Sequence, residues 1–325
     1  MQNHETQQGS VGMGGAEIQH KLALVQQEVN KVIRGKQDVV ERILAAIVSG
    51  GHILMEDIPG VGKTTLATTF AKALSLDYKR VQFTPDVLPS DILGFSMYQN
   101  TTGQFVFREG AVFCNLFLAD EINRTSPKTQ SALLEVMEEH HATVDGVTRE
   151  LPDPFIVIAT ENPLGSSGTQ MLPESQLDRF MICVSMGYPA HRDAVDILKG
   201  ETMNLVAGVQ AVLSEQELCA LRKACERIYV HDSVYEYIVD LVEESRRNPL
   251  FEMGASPRAA IALLRISRAT AMLQGRDFVT AQDVQAVLKD VLGHRVKRSA
   301  KAKASGMSKE EVIRQMVQKV KVPRT

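Results

Sequence analysis

Apolar residues recur along this chain with two different periods, and the switch between them divides it. Ile18, Leu22, Val25 and Val29 are spaced by four, three and four, which predicts one face of a helix. The stretch from Val39 to Val48 predicts a second helix, leading into HILMED, a short apolar run suited to a buried strand. RVQFT, NLFLAD, FIVIAT and MICVSM are likewise short, mostly apolar and separated by helical segments. Such runs belong to a parallel sheet covered on both faces. After Gly187-Tyr188-Pro189 the strand pattern ends. From His191 onward the segments around 192–199, 214–227, 232–247, 257–273, 280–291 and 308–318 all have helical spacing. The organisation expected is a polar, glycine-rich disordered tail over 1–15, an α/β domain over 16–189, an all-helical domain over 190–295, and a basic segment over 296–325 with a short helix.

Composition narrows this only a little. The chain has 325 residues, 44% hydrophobic and 23% charged, with a net charge of -3, which describes an ordinary soluble globular protein and no strong binder of polyanions. Its four cysteines show no metal-ligand spacing and fit idle thiols in a reducing compartment. No apolar run approaches the ~20 residues needed to cross a bilayer, and the polar N-terminus does not resemble a signal peptide. A cytoplasmic location is expected.

Candidate chemistry begins at EDIPGVGKTT, Glu56 to Thr65. The phosphate-loop pattern G-x-x-x-x-G-K-[ST] is met at Gly62, Lys63 and Thr64, but aspartate stands at position 57 where the pattern asks for glycine. A loop of this kind holds phosphates with inward backbone N–H groups and the positive end of the following helix. The amides from Gly60 through Val61, Gly62, Lys63 and Thr64 to Thr65 are available for this. Gly60 and Gly62 supply unusual backbone angles, Lys63 reaches the β- and γ-phosphates, and the Thr64 hydroxyl suits Mg²⁺. Asp57 precedes the cradle, so the loop should work if that carboxylate turns away. On this reading Asp57→Gly leaves ATP affinity within a few-fold.

Further polar groups follow apolar strands. NLFLADE ends in Asp120, placed to organise Mg²⁺ and its waters, and Glu121, placed to orient and deprotonate a water; alone, the two acids could equally cap the next segment. FIVIATENP ends in Asn162, an amide able to hold that water, or else a turn signal before proline. LPESQLDRF puts Arg179 too far along to touch the loop of its own subunit but able to reach a neighbour's γ-phosphate; the plain alternative is an exposed pair with Asp178. GASPRAAIALL opens a helix with Arg258 in its first turn, against the helix dipole, which points to a remote anionic partner, the nucleotide phosphates.

These motifs, with ADEINRTSPKTQSALLEVMEE, ATENP, LPESQLDRF and GASPRA in order, resemble the MoxR family of AAA+ ATPases over about 17–295. The resemblance implies a P-loop NTPase sheet sandwiched by helices and followed by an all-helical lid. It implies Lys63 and Thr64 at nucleotide and Mg²⁺, Asp120 and Glu121 as the Walker B pair, Asn162 as sensor 1, Arg179 as arginine finger and Arg258 as sensor 2. KVIRGKQ is similar to the family's adenine-packing segment, with Val32 and Ile33 as its apolar contacts. The family commonly has a non-glycine at the place of Asp57, whereas Glu161 stands where it more often carries glutamine.

Two inserts, 91–112 around Thr-Thr-Gly and 140–151 around Asp145-Gly146, predict hairpins that face a pore or client, or are plain solvent loops. The tail from His294 carries ten Lys or Arg against two Glu, read as a solvated helix with a basic linker, since it lacks aromatic residues to stack on bases. The expected function is an ATPase that forms a homo-oligomer, by resemblance a hexamer, and remodels a protein client, possible partners including von Willebrand factor A-domain proteins. A nucleic-acid motor and a non-hydrolysing nucleotide scaffold are the competing classes; a small-molecule kinase would need neither Glu121 nor Arg258.

Overall fold

A computed structural model describes residues 14–162, 171–199 and 205–323; the expected disordered tail falls almost wholly outside them. The predicted stripe is the buried face of α1 (Gly15–Val32), and α2 (Gln37–Val48) buries all but its first two residues and the polar Glu41 and Arg42. Strands β1 (Ile53–Glu56), β2 (Tyr78–Gln82), β5 (Leu116–Asp120), β8 (Ile156–Glu161) and β9 (Ile182–Val184) form one parallel sheet in the order β2-β5-β8-β1-β9.

Side chains alternate across this sheet as period two requires. Ile53, Met55, Leu116, Leu118, Ile156 and Ile158 join a core with α1, α2, α3 (Lys63–Ala73) and the C-terminal helices. Leu54, Phe117, Ala119, Val157 and Ala159 join a second core on the other face, under α4 (Pro89–Leu93) and α5 (Pro127–Glu139). Both faces of β1, β5 and β8 are therefore dry and these strands read as apolar runs, whereas the edge strand β2 stays partly exposed.

The inserts are hairpins: β3 (Gly94–Gln99) with β4 (Gln104–Glu109), and β6 (His141–Val144) with β7 (Val147–Glu150). The second turns through Asp145 and Gly146, both at positive φ (53° and 75°), as a two-residue hairpin loop demands. A short helix α6 (Glu174–Leu177) precedes β9, and α7 (His191–Leu198) follows it.

The lid comprises helices Glu215–Glu226, Asp232–Arg247, Pro257–Leu273 and Ala281–Leu292, near their predicted bounds. A small antiparallel ribbon, Phe251–Met253 with Lys297–Arg298, is added to them. The tail differs from expectation. Helix Lys309–Lys319 buries Val312, Ile313 and Met316 in the first core, fixed at its start by a reciprocal Ser308–Glu311 capping box. Three apolar residues on one stripe are enough to dock a helix this short, so it is part of the lid surface.

Because all five strands run the same way, Glu56, Gln82, Asp120, Glu161 and Val184 end at one edge of the sheet. Open parallel sheets bind ligands at that carboxyl edge.

Candidate active site

The loop between β1 and α3 has the shape of a phosphate cradle. Gly60 and Gly62 have φ of 84° and 93°, angles that side chains rarely adopt, and a Cβ on either would meet nothing within 4 Å. The glycines are thus required by backbone conformation and front open space. Lys63 starts the helix, is 8% exposed and donates from Nζ to the carbonyl of Asp57 at 2.9 Å. Burial lowers its pKa, opposed by the charges of Asp57, Asp120 and Glu121. Thr64 and Thr65 are half-buried on the first turn.

The Asp57 carboxylate is turned from the cradle. Its Oδ1 accepts from Ser185 Oγ (2.8 Å) and the Gly187 amide (3.0 Å), and its Oδ2 from the Met186 amide (2.5 Å).

At the tip of β5, Asp120 Oδ1 accepts from Thr160 Oγ1 (2.7 Å), and its Oδ2 from Arg80 Nη2 (2.7 Å). Glu121 sits in the left-handed region (φ 57°), a backbone cost of about 1–3 kcal/mol that turns its side chain over the sheet edge. Its amide donates to Thr160 Oγ1 (2.8 Å), while Oε2 accepts from Gln82 Nε2 (2.9 Å) and Arg124 Nη1 (2.6 Å). Arg80, Gln82, Thr160 and Arg124 went unremarked in the sequence. The alternation Arg80-Val81-Gln82 beside the Asp-Glu strand was the signal, since the register sets Gln82 opposite Asp120.

Asn162 follows β8 directly, and its carbonyl accepts from Asn123 Nδ2 (3.4 Å). Beside it Glu161 is 1% exposed, with Oε1 lacking a hydrogen-bond partner. Burial, with the Glu56 carboxylate on the adjacent strand, pushes its pKa up to about 7 from 4.5. A raised carboxyl pKa costs the fold nothing below 4.5. Stability then falls as pH rises toward 7, because only the unfolded chain ionises freely. Glu161→Gln should therefore flatten the pH dependence and be the more stable form above pH 7 by on the order of 3 kcal/mol. Urea unfolding of both proteins from pH 5 to 8 checks this; identical pH profiles would refute it.

The two arginines lie elsewhere. Arg179 Nε is 3.2 Å from Glu138 Oε2, and Arg258 Nη2 donates to Glu138 Oε1. Glu138 belongs to the last turn of α5, beside Met137, whose carbonyl bonds His52 at 2.9 Å just before β1. This is the amino edge of the sheet, separated from the cradle by the length of β1, about 13 Å. The Asp178–Arg179 pair, the plain alternative to the finger reading, does not form: Asp178 accepts from Arg295 Nε (2.8 Å) and Ser256 Oγ (2.8 Å). The structure thus joins Lys63, Asp120, Glu121 and Asn162 at one edge, and Arg179 with Arg258 at the other.

Val32 and Ile33 are 7% and 5% exposed, packed in the first core, with Val61 half-buried against it. The segment after them is braced by Lys36 Nζ donating to the Tyr188 carbonyl (2.9 Å), and Gly35 abuts the Asp193 carboxylate.

Comparison with known proteins agrees with this geometry. Residues 52–182 match the ATPase family associated with various cellular activities (AAA), and 243–316 match the AAA lid domain. Chaperone MoxR1 of Mycobacterium tuberculosis is 38% identical, over 98% of this chain and 87% of that one. The chain belongs to the MoxR family of AAA+ ATPases. Another relative, the uncharacterized protein YeaC of Bacillus subtilis, is 44% identical over 91% of this chain and 93% of its own. The crystal structure of a provisionally named ATPase from Cytophaga hutchinsonii superposes with a TM-score of 0.88 at 37% identity, covering 95% and 97% of the two chains. The AAA+ sheet and lid are thereby those described above. No helix among the described residues is long and apolar enough to cross a membrane, and no cluster of metal-ligating side chains occurs among them.

Proposed function

We propose that this protein binds and hydrolyses ATP with Mg²⁺ as a head-to-tail homo-oligomer, a hexamer by family resemblance, and uses the cycle to remodel a protein client in the cytoplasm. The observation that carries this reading is the split site. Hydrolytic groups occupy one edge of the sheet, while Arg179 and Arg258 share Glu138 at the other. Neither arginine is near its own cradle, so both serve a neighbour's phosphates across an interface. Sensor 2 on this reading acts between subunits, as the finger does.

Within a subunit, the amides from Gly60 to Thr65 and Lys63 hold the phosphates. Lys63 exchanges its bond to the Asp57 carbonyl for the β- and γ-oxygens. Thr64 and Asp120 would hold Mg²⁺, which neutralises phosphate charge when bound. Glu121 takes the proton of the attacking water, and Asn162 orients that water. Arg80 balances the charge of Asp120, and Thr160 ties Asp120 to Glu121 through one hydroxyl.

The hairpin β3–β4 presents Phe95, Met97, Tyr98, Phe105 and Val106 to solvent, an apolar surface suited to a polypeptide client. A von Willebrand factor A-domain protein remains the partner class implied by family resemblance.

Sedimentation of the protein with a slowly hydrolysed ATP analogue should show a large species that dissociates without nucleotide. A strict monomer that turns over ATP well would overturn the shared site, and absence of ATP binding would overturn the whole reading.

A further inference from the structure

The geometry points to Asp57 as a positioning residue that sets the base-binding wall against the phosphate cradle, so that it governs nucleotide affinity through the adenosine part. This rests on the ATP site proposed above. The buried Asp57 carboxylate, 5% exposed, gathers three donors from one short segment: Ser185 Oγ, the Met186 amide and the Gly187 amide. That segment follows β9 and continues into Tyr188, whose carbonyl is gripped by Lys36, and on to Asp193, which abuts Gly35. Gly35 and Lys36 follow Val32 and Ile33, the assigned adenine contacts, with only Arg34 between. A continuous bonded path therefore runs from the entry of the phosphate loop, through Asp57 and residues 185–188, to the adenine side. No part of that path uses the amides from Gly60 to Thr65.

This gives the departure from the phosphate-loop pattern a purpose. Glycine at position 57 would leave two backbone N–H groups and a hydroxyl without their acceptor, one of them on a buried residue, and unmet buried donors force the segment to shift or admit water. Asparagine is a sharper probe. It keeps the shape and one oxygen, which can still serve Ser185 and Gly187, but sets an amide N–H against that of Met186. The structure thus revises the expectation that Asp57→Gly would be nearly silent.

The test compares Mg²⁺-ATP with inorganic tripolyphosphate as ligands for wild type, Asp57→Asn, Asp57→Gly and Ser185→Ala, by calorimetry, with KM and kcat for ATP. Asp57→Asn and Asp57→Gly should weaken ATP binding by ~10-fold or more, raise KM in parallel and leave kcat within ~3-fold. Tripolyphosphate affinity should stay within ~2-fold, because the amides from Gly60 to Thr65 and the backbone carbonyl of residue 57 that Lys63 holds are all retained. Ser185→Ala, which removes one of the three bonds, should fall between, and it carries the test if either Asp57 variant fails to fold in a thermal melt. Equal losses for ATP and tripolyphosphate would mean that Asp57 shapes the cradle itself, and unchanged ATP affinity would make its bonds purely structural; either overturns the inference while wild type still binds ATP. Wild type that binds no ATP overturns the proposed function first.

Discussion

Arg179→Ala is expected to lower ATP turnover by about 10³-fold, the low end for an arginine finger, while each subunit still binds nucleotide. The side chain is removed at the amino edge of the sheet, a strand length from its own Lys63, so the local cradle has no reason to change. Transition-state charge on a neighbour's γ-phosphate loses its partner. Glu138 complicates a single substitution, because it also holds Arg258 and would keep that second pairing. Mixing separates the roles. Oligomers of Arg179→Ala and Lys63→Ala subunits contain interfaces that pair an intact loop with an intact finger, and these should recover part of the activity that neither mutant has alone. Proven mixed oligomers without recovery would show that Arg179 acts within its own subunit or only braces Glu138.

The sheet was legible because its central strands β1, β5 and β8 are buried on both faces and flanked by helical spacing. The same alternation that sends Leu116 and Phe117 to opposite cores makes NLFLAD an unbroken apolar run. Lys63, Asp120 and Asn162 were legible because each lies at or just beyond the end of such a strand, and parallel strands bring their ends together. Asp57 was expected to turn its carboxylate away from the loop, and its oxygens are taken up by Ser185, Met186 and Gly187. Its acceptor role toward residues 185–187 was invisible, because those donors are mostly backbone amides from far along the chain. Arg80 and Thr160 were missed for a related reason: each meets Asp120 only through the strand order, some forty residues away. Glu138 gave no local sign, being one acid among several on the exposed side of α5. The C-terminal helix was misjudged because its charge was conspicuous and its three-residue apolar stripe was not.

Glu121→Gln should abolish most turnover while sparing binding, with kcat falling at least ~10²-fold. The exchange keeps the length and shape of the side chain, and its remaining oxygen can still accept from Gln82 and Arg124. It removes the carboxylate that takes a proton from water. Asp120 keeps its bonds to Thr160 and Arg80, so the groups assigned to Mg²⁺ and phosphate are undisturbed. The left-handed backbone at position 121 is also retained, since glutamine meets the same constraint as glutamate there. ATP affinity should therefore remain within a few-fold of wild type, and the variant should accumulate in the ATP-bound assembled state. Rapid-quench measurement of a single turnover reads the chemical step directly, beside equilibrium binding of ATP. Turnover close to wild type would remove Glu121 as the base, and a matching loss of ATP affinity would mean that its charge instead shapes the resting site around Lys63.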